Sequence, residues 1–130
     1  MRSTPSTTSV AAEQASSIVA RAVAFYRDLL EFEVEEETLP AFARVRHGDL
    51  DLWLAGPQSS AARPLPDGRQ PVPGGWSRLV IEVDDLDAFV ARLLNVGATF
   101  RNEVMSGPGG KEIILDDPDG NAIELFEARA

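Results

Sequence analysis

The residues of this chain best placed to do chemistry are acids set in the middle of apolar strands. Glu124 lies between Ile123 and Leu125, and Asp51 lies between Leu50 and Leu52. Side chains alternate across a strand, so Ala122, Glu124 and Phe126 share one face and Ile123 and Leu125 the other. The same rule sets Asp51 and Trp53 against Leu50, Leu52 and Leu54. If the aliphatic faces are buried, each acid projects from the opposite face with an aromatic beside it. A solvated polar face is the alternative reading. A third strand, Arg78 to Val83, presents Arg78, Val80 and Glu82 on one side. Carboxylates near an arginine can bind a hard cation, move protons or hold the polar end of a ligand. Other chemistry is excluded. There is no Cys, hence no disulfide, thiolate metal site or Cys nucleophile. The single His, His47, falls in a predicted turn, so neither a Ser-His-Asp triad nor a two-His facial triad can be assembled.

Several elements must position these residues. Lys111 to Glu127 reads as two strands joined by the turn Asp117-Pro118-Asp119-Gly120-Asn121, whose residues each favour turn geometry for their own reason. Earlier in the chain, residues 1–10 are Ser/Thr-rich. Ala11 to Leu30 contains no Gly or Pro and reads as a helix burying Ile18, Ala22, Phe25, Leu29 and Leu30. The strand before it is Thr7 to Val10, distorted, or absent. Glu31 to Glu37 is the next strand, and Ala41 to Arg46 with Leu50 to Ala55 forms a hairpin. The proline-rich stretch 57–75 is a module connector or a lid. Trp76 to Val83 is a strand, and a helix over Leu86 to Val96 is capped by Asp84 or Asp85 and ended by Gly97. Ala98 to Val104 is a strand. The loop Gly107 to Gly110 lacks the Gly-Lys-Ser/Thr ending of a phosphate loop.

The two halves repeat. An offset of 64 aligns Ala24-Phe25 with Ala88-Phe89 and Leu29-Leu30 with Leu93-Leu94. At the closing strands the offset is 73, and Leu50-Asp51-Leu52-Trp53 matches Ile123-Glu124-Leu125-Phe126. Tandem duplication of a helix followed by three strands accounts for this pattern. A pseudo-twofold axis between the halves would bring Asp51 and Glu124 to one shared pocket.

Asp-Pro-Asp-Gly-Asn followed by Ile-Glu-Leu resembles the closing hairpin of the vicinal oxygen chelate superfamily, which holds glyoxalases, extradiol dioxygenases and bleomycin-resistance proteins. Trp76 to Glu127 resembles one whole module, and Arg21 to Gly56 another. The resemblance implies an α+β fold of two tandem βαβββ modules forming a curved mixed sheet around a pocket. Residues 1–130 would be a single glyoxalase/bleomycin-resistance-like domain, with module 1 at about 7–56, a linker at 57–75 and module 2 at 76–130. In metal-using members the Glu of the closing strand is a ligand. Here the resemblance would leave only Asp51 and Glu124 for a divalent metal, because Arg78 and Ala11 fall where the family has His. A guanidinium stays protonated and cannot ligate, so Arg78 would replace the metal's charge beside Glu124. The implied function is a metal-free small-molecule binding protein with no cofactor, lined by Asp51, Trp53, Arg78, Glu82, Glu124 and Phe126. The alternative is a metal-dependent lyase, isomerase or dioxygenase with non-standard ligands.

Bulk properties limit the partners. A chain of 130 residues with 44% hydrophobic and 25% charged residues can bury one real core. A net charge of −9 argues against nucleic acid and favours cationic ligands at long range, or simply solubility. No apolar run is long enough to span a membrane, and no signal-peptide core is evident. The expected context is cytoplasmic, with a small organic ligand as partner and a homodimer as the assembly.

Overall fold

The computed structural model describes residues 17–75 and 77–129. The candidate strand at Thr7 to Val10, the helix segment Ala11 to Ser16 and Trp76 lie outside the described residues. The chain divides into two compact units, Met1–Val72 and Pro73–Ala130.

The first unit opens with α1 (Ile18–Ala24), which runs on into a wider π-helical turn at Phe25–Leu29. Ser17 starts it, its hydroxyl accepting from the Ala20 amide at 3.1 Å. The buried stripe is Val19, Ala22, Val23, Tyr26 and Leu30. The expected stripe is therefore rotated: Ile18 is exposed, and Phe25 and Leu29 are only half-buried. Three strands follow, β1 (Glu33–Thr38), β2 (Phe42–His47) and β3 (Leu50–Ala55), paired antiparallel in that order. Val19 and Val23 pack on Ala43, with Val34, Leu39 and Leu54 around them. That face of the sheet is the aliphatic one foreseen from alternation. Gly56 is needed where the chain leaves β3, because a Cβ there would lie 2.7 Å from Val19 Cγ2 and 3.1 Å from the Pro40 carbonyl oxygen. His47 sits at the end of β2 opposite Leu50, tilted on Phe32 at 5.1 Å between ring centroids. It is a packed strand residue rather than a turn residue.

The second unit contains β4 (Arg78–Glu82), α2 (Leu86–Asn95), β5 (Met105–Gly107), β6 (Gly110–Asp116) and β7 (Ala122–Ala128). Its sheet has the order β4-β7-β6-β5, with β4 parallel to β7 and the other pairs antiparallel. This is one complete βαβββ arrangement. Ile81, Ile113, Leu115, Ile123 and Leu125 are buried, as are Leu86 and Leu93 of α2. Asp85 caps α2 by accepting from the Ala88 amide at 3.1 Å, and Glu127 Oε1 accepts from the Leu86 amide at 2.8 Å. Gly97 ends the helix at φ 81°. The expected strand over Ala98 to Val104 is replaced by one bridge, Phe100 to Leu115, and the ladder proper starts at Met105. Asn102 explains the break: its side-chain oxygen accepts from the Ile114 amide at 2.9 Å, where a strand would offer a backbone carbonyl.

The turn between β6 and β7 is built on Asp117, buried to 6% exposure. Its Oδ1 accepts from the amides of Asp119 and Asn121, both at 2.9 Å, and its Oδ2 from Asn121 Nδ2 at 2.9 Å. Gly120 supplies the positive φ, 85°, that the turn requires.

Among the described residues the architecture is mixed α+β, with two open sheets and two helices. No described helix is long and apolar enough to cross a membrane.

Candidate functional site

Register fixes what shares the outer face of the second sheet. Across the strands, Arg78 lies opposite Ala122 and Val80 opposite Glu124, which lies opposite Ile114. Glu82 lies opposite Phe126, which lies opposite Glu112, which lies opposite Met105. These side chains point away from α2. Glu124 is at the centre, on a strand with neighbours on both sides, and it is only 8% exposed.

Arg78 reaches across from β4, its Nε 2.9 Å from Glu124 Oε1. This is the contact expected if arginine replaces a metal's charge. The arginine side chain stays 43% exposed while that of Glu124 is 11% exposed, so the pair is anchored at the acid and open at the guanidinium. On the other side stands Glu112 of β6, diagonal to Glu124 across the β6–β7 pair. Burial pushes the Glu124 pKa up, the neighbouring Glu112 pushes it further, and Arg78 pulls it back. Glu112 was not singled out from the sequence. The signal was present, since Glu112 alternates with Ile113 and Leu115 as Glu124 does with Ile123 and Leu125.

The remaining candidates fall where alternation put them. Glu82 shares the Arg78 face and is exposed; Phe126 is half-buried beside it. Val80 and Met105 stand 50% and 56% exposed on the same face, so it is apolar around a polar centre and open to solvent.

Asp51 and Trp53 belong to the first unit, on the sheet face turned away from α1. Asp51 Oδ2 accepts from Arg46 at 3.0 Å, and Arg44 stands 3.7 Å from Oδ1. Glu36 and Glu35 lie 3.7 and 3.6 Å from Arg44 and Arg46. Arg44 and Arg46 are the core of a five-residue charge network. Trp53 packs edge-on against Phe42 at 5.3 Å and is 67% exposed.

The side chains do not suit a divalent ion. Glu124 already has a guanidinium on one oxygen, and Arg78 cannot ligate. Asp51 is held by two arginines. Among the described residues no three His, Asp or Glu side chains converge as a metal site would need.

Comparison with known proteins fits this geometry. Among solved structures the chain resembles lactoylglutathione lyase from Agrobacterium tumefaciens, with TM-score 0.69 and 24% identity over 85% of this chain and 86% of that one. It also resembles a member of the glyoxalase/bleomycin resistance protein/dioxygenase superfamily from Sphaerobacter thermophilus DSM 20745, with TM-score 0.67 and 28% identity over 85% and 89%. A third is TnmS3, an antibiotic binding protein from Streptomyces sp. CB03234, with TM-score 0.63 and 24% identity over 87% and 88%. The search of curated proteins gave no match. Residues 12–125 match the family model for this superfamily, and the chain belongs to the Glyoxalase/Bleomycin resistance protein/Dioxygenase superfamily.

Proposed function

We propose that the protein is a metal-free small-molecule binding protein that sequesters its ligand rather than transforming it. One observation carries the reading. The outer face of the second sheet holds a nearly buried Glu124 tied to Arg78, ringed by apolar side chains that remain open to solvent. A few fixed polar groups in an apolar surround suit a small organic ligand. Arg78, Glu82, Glu124 and Phe126 would contact it, and Glu112 joins them. Asp51 and Trp53 are proposed as ligand-contacting residues on the first unit's own sheet face. Similarity in fold to an antibiotic binding protein supports capture as a function of this architecture. Taking residues 1–130 as one functional domain belongs to this proposal.

Mass spectrometry of small molecules that co-purify with the protein tests the reading directly. Calorimetric titration with zinc, nickel and manganese tests its metal-free part. A bound organic molecule and no stoichiometric metal uptake are expected. Metal uptake abolished by Glu124→Ala would overturn the proposal in favour of a metal-dependent lyase, isomerase or dioxygenase. A homodimer is proposed with it, because β1 and β3 in one sheet and β4 and β5 in the other each have an unpaired edge among the described residues. Sedimentation at tens of micromolar, an order-of-magnitude choice, checks this, and a monomer there refutes it. A cytoplasmic location is also part of the proposal, in keeping with the absence of Cys. Fluorescent tagging in the native host tests it.

A further inference from the structure

We infer that Asn121 is a positioning residue for the candidate site: its side chain latches Gly74, near the end of the proline-rich stretch, to the β6–β7 turn, and so fixes the start of β4, where Arg78 stands. The inference rests on the reading of the Arg78–Glu124 face as the ligand site, and it names a residue outside that face that keeps it in order.

The latch is built from printed polarity on both sides of one amide. Asn121 Oδ1 accepts from the Gly74 amide at 2.7 Å, across 47 residues of chain. Asn121 Nδ2 donates to Asp117 Oδ2 at 2.9 Å, and the Asn121 backbone amide donates to Asp117 Oδ1 at 2.9 Å. An acid therefore faces the Nδ2 end and an N–H faces the Oδ1 end. A side-chain amide offers a donor and an acceptor together, whereas an aspartate there would set one carboxylate against another. The turn beneath is firm. Asp117 also accepts from the Asp119 amide at 2.9 Å, and Arg101 donates to the Gly120 carbonyl oxygen at 3.2 Å while pairing with Asp116. Those bonds close the turn on itself. The bond to Gly74 does nothing for the turn and ties it to a distant segment of the same unit.

Position along the chain gives the consequence. Ala122 pairs with Arg78 across β7 and β4, so Asn121 holds Gly74 one residue before the ladder begins. Gly74 and Gly75 turn the chain there with φ 96° and 101°, a left-handed pair that glycine adopts without strain. β4 has five residues and, among the described residues, one neighbouring strand, β7. The end of such an edge strand opens easily unless something ties it down. Arg78 is that end. Its Nε lies 2.9 Å from Glu124 Oε1, two residues along β7 from Ala122. A shift of about 1 Å at the first residue of β4 takes that contact out of hydrogen-bond range. The Gly74 latch opposes the shift from one side, and the pairing with β7 from the other.

The test uses the full, ligand-free chain, so its outcome does not depend on whether this face captures a molecule. Asn121→Ala is followed by amide hydrogen exchange and by nitrogen NMR of the Arg78 Nε–H. The Gly74 amide should exchange about fivefold faster, the size of one net hydrogen bond. The Asp119 amide should keep its protection, because Asp117 Oδ1 still accepts from it. The Arg78 Nε–H signal should move toward that of a solvated arginine. An unchanged Gly74 rate overturns the inference, and so does an Arg78 signal that stays put while Gly74 is released. Loss of Asp119 protection together with Gly74 overturns it too, by making Asn121 a turn residue alone. Asp117→Asn combined with Asn121→Asp exchanges the amide and the carboxylate and keeps an acceptor toward Gly74. This pair should return both readouts to wild type, and failure to do so counts against the latch. If Asn121→Ala does not fold, the wild type decides. Its Gly74 amide should exchange about fivefold slower than in an unstructured peptide, and no protection there refutes the inference.

Discussion

The two units carry the same apolar-acid-apolar-aromatic pattern on their closing strands and put it to different use. In the second unit β7 lies between β4 and β6, so Glu124 is covered from both sides. In the first unit β3 is an edge strand among the described residues, and the side chain of Asp51 is 37% exposed. The buried acid has one arginine and one acid as neighbours and is pushed toward its neutral form. The exposed acid has two arginines and sits in a network of opposite charges. The aromatics follow suit: Phe126 is half-buried and Trp53 is 67% exposed. What decides the chemistry of a strand acid here is the number of strands beside it, not the residues beside it in sequence.

The largest expected effect contrasts the hairpins. Gly110 opens β6 at φ 149°, and a Cβ there would collide with the Glu127 carbonyl oxygen and lie 3.1 Å from Ala128 Cα. Gly110→Ala should cost about 3 kcal/mol or more, since backbone on both strands must move. Gly48, at φ 58° in the first unit's hairpin, has nothing within 4 Å of such a Cβ. Gly48→Asn should change stability by about 0.5 kcal/mol or less, because Asn tolerates this backbone region. Urea unfolding of both variants checks the contrast, and equal losses would break it.

Next come the arginines. Arg78→Ala removes the cationic partner of an acid that is 11% exposed, and about 1–2 kcal/mol is expected at neutral pH. The figure stays below the ~3–5 of a fully buried pair because Arg78 itself is open to water. Arg46→Ala acts in a more exposed network and should cost about 0.5–1 kcal/mol. High salt should erode the second loss more than the first.

Acid dependence separates the units further. The Glu124 pKa is raised above the ordinary 4.5, chiefly by burial. The stabilisation from its protonated form is fully present below 4.5 and is lost as pH rises through the elevated folded value. Glu124→Gln should therefore raise the melting temperature at neutral pH, with the difference from wild type vanishing below 4.5. Thermal melts across pH decide this, and a Gln variant less stable at neutral pH would contradict the burial argument.

The sequence made much of this legible because period-two alternation is a strong signal. Leu79, Ile81, Ile123 and Leu125 inward with Arg78, Val80 and Glu124 outward needed nothing more, whereas setting Arg78 beside Glu124 also drew on the family resemblance, which put Arg78 where a ligand would be. Alternation says nothing about neighbours across strands. Glu112 became visible only when register set it diagonal to Glu124. Arg44 and Arg46 became a network only when β1 and β3 were aligned on β2. The misplaced strand at Ala98 to Val104 has a local cause, since the Asn102 side chain substitutes for a backbone acceptor. The helix stripe was off because Ala-rich sequence leaves helical periodicity weak, and Val19 and Val23 sit among alanines.

The smallest expected effect is the sharpest on function. Trp53 is 67% exposed and its one ring contact in the described structure is edge-on to Phe42. Trp53→Ala should cost about 0.5–1 kcal/mol, the size of one aromatic pair. A core tryptophan would cost about 3–5 kcal/mol. Phe126→Ala, on the more covered strand, should fall between the two. Such an exposed ring contributes little to folding, so any role it has lies in contact with something outside its unit. If Trp53 serves the ligand, Trp53→Ala should weaken binding of the co-purified molecule by about tenfold while the unfolding midpoint barely moves. A variant that unfolds readily would make Trp53 a structural residue. One that binds as wild type would remove Trp53 from the residues proposed to contact the ligand.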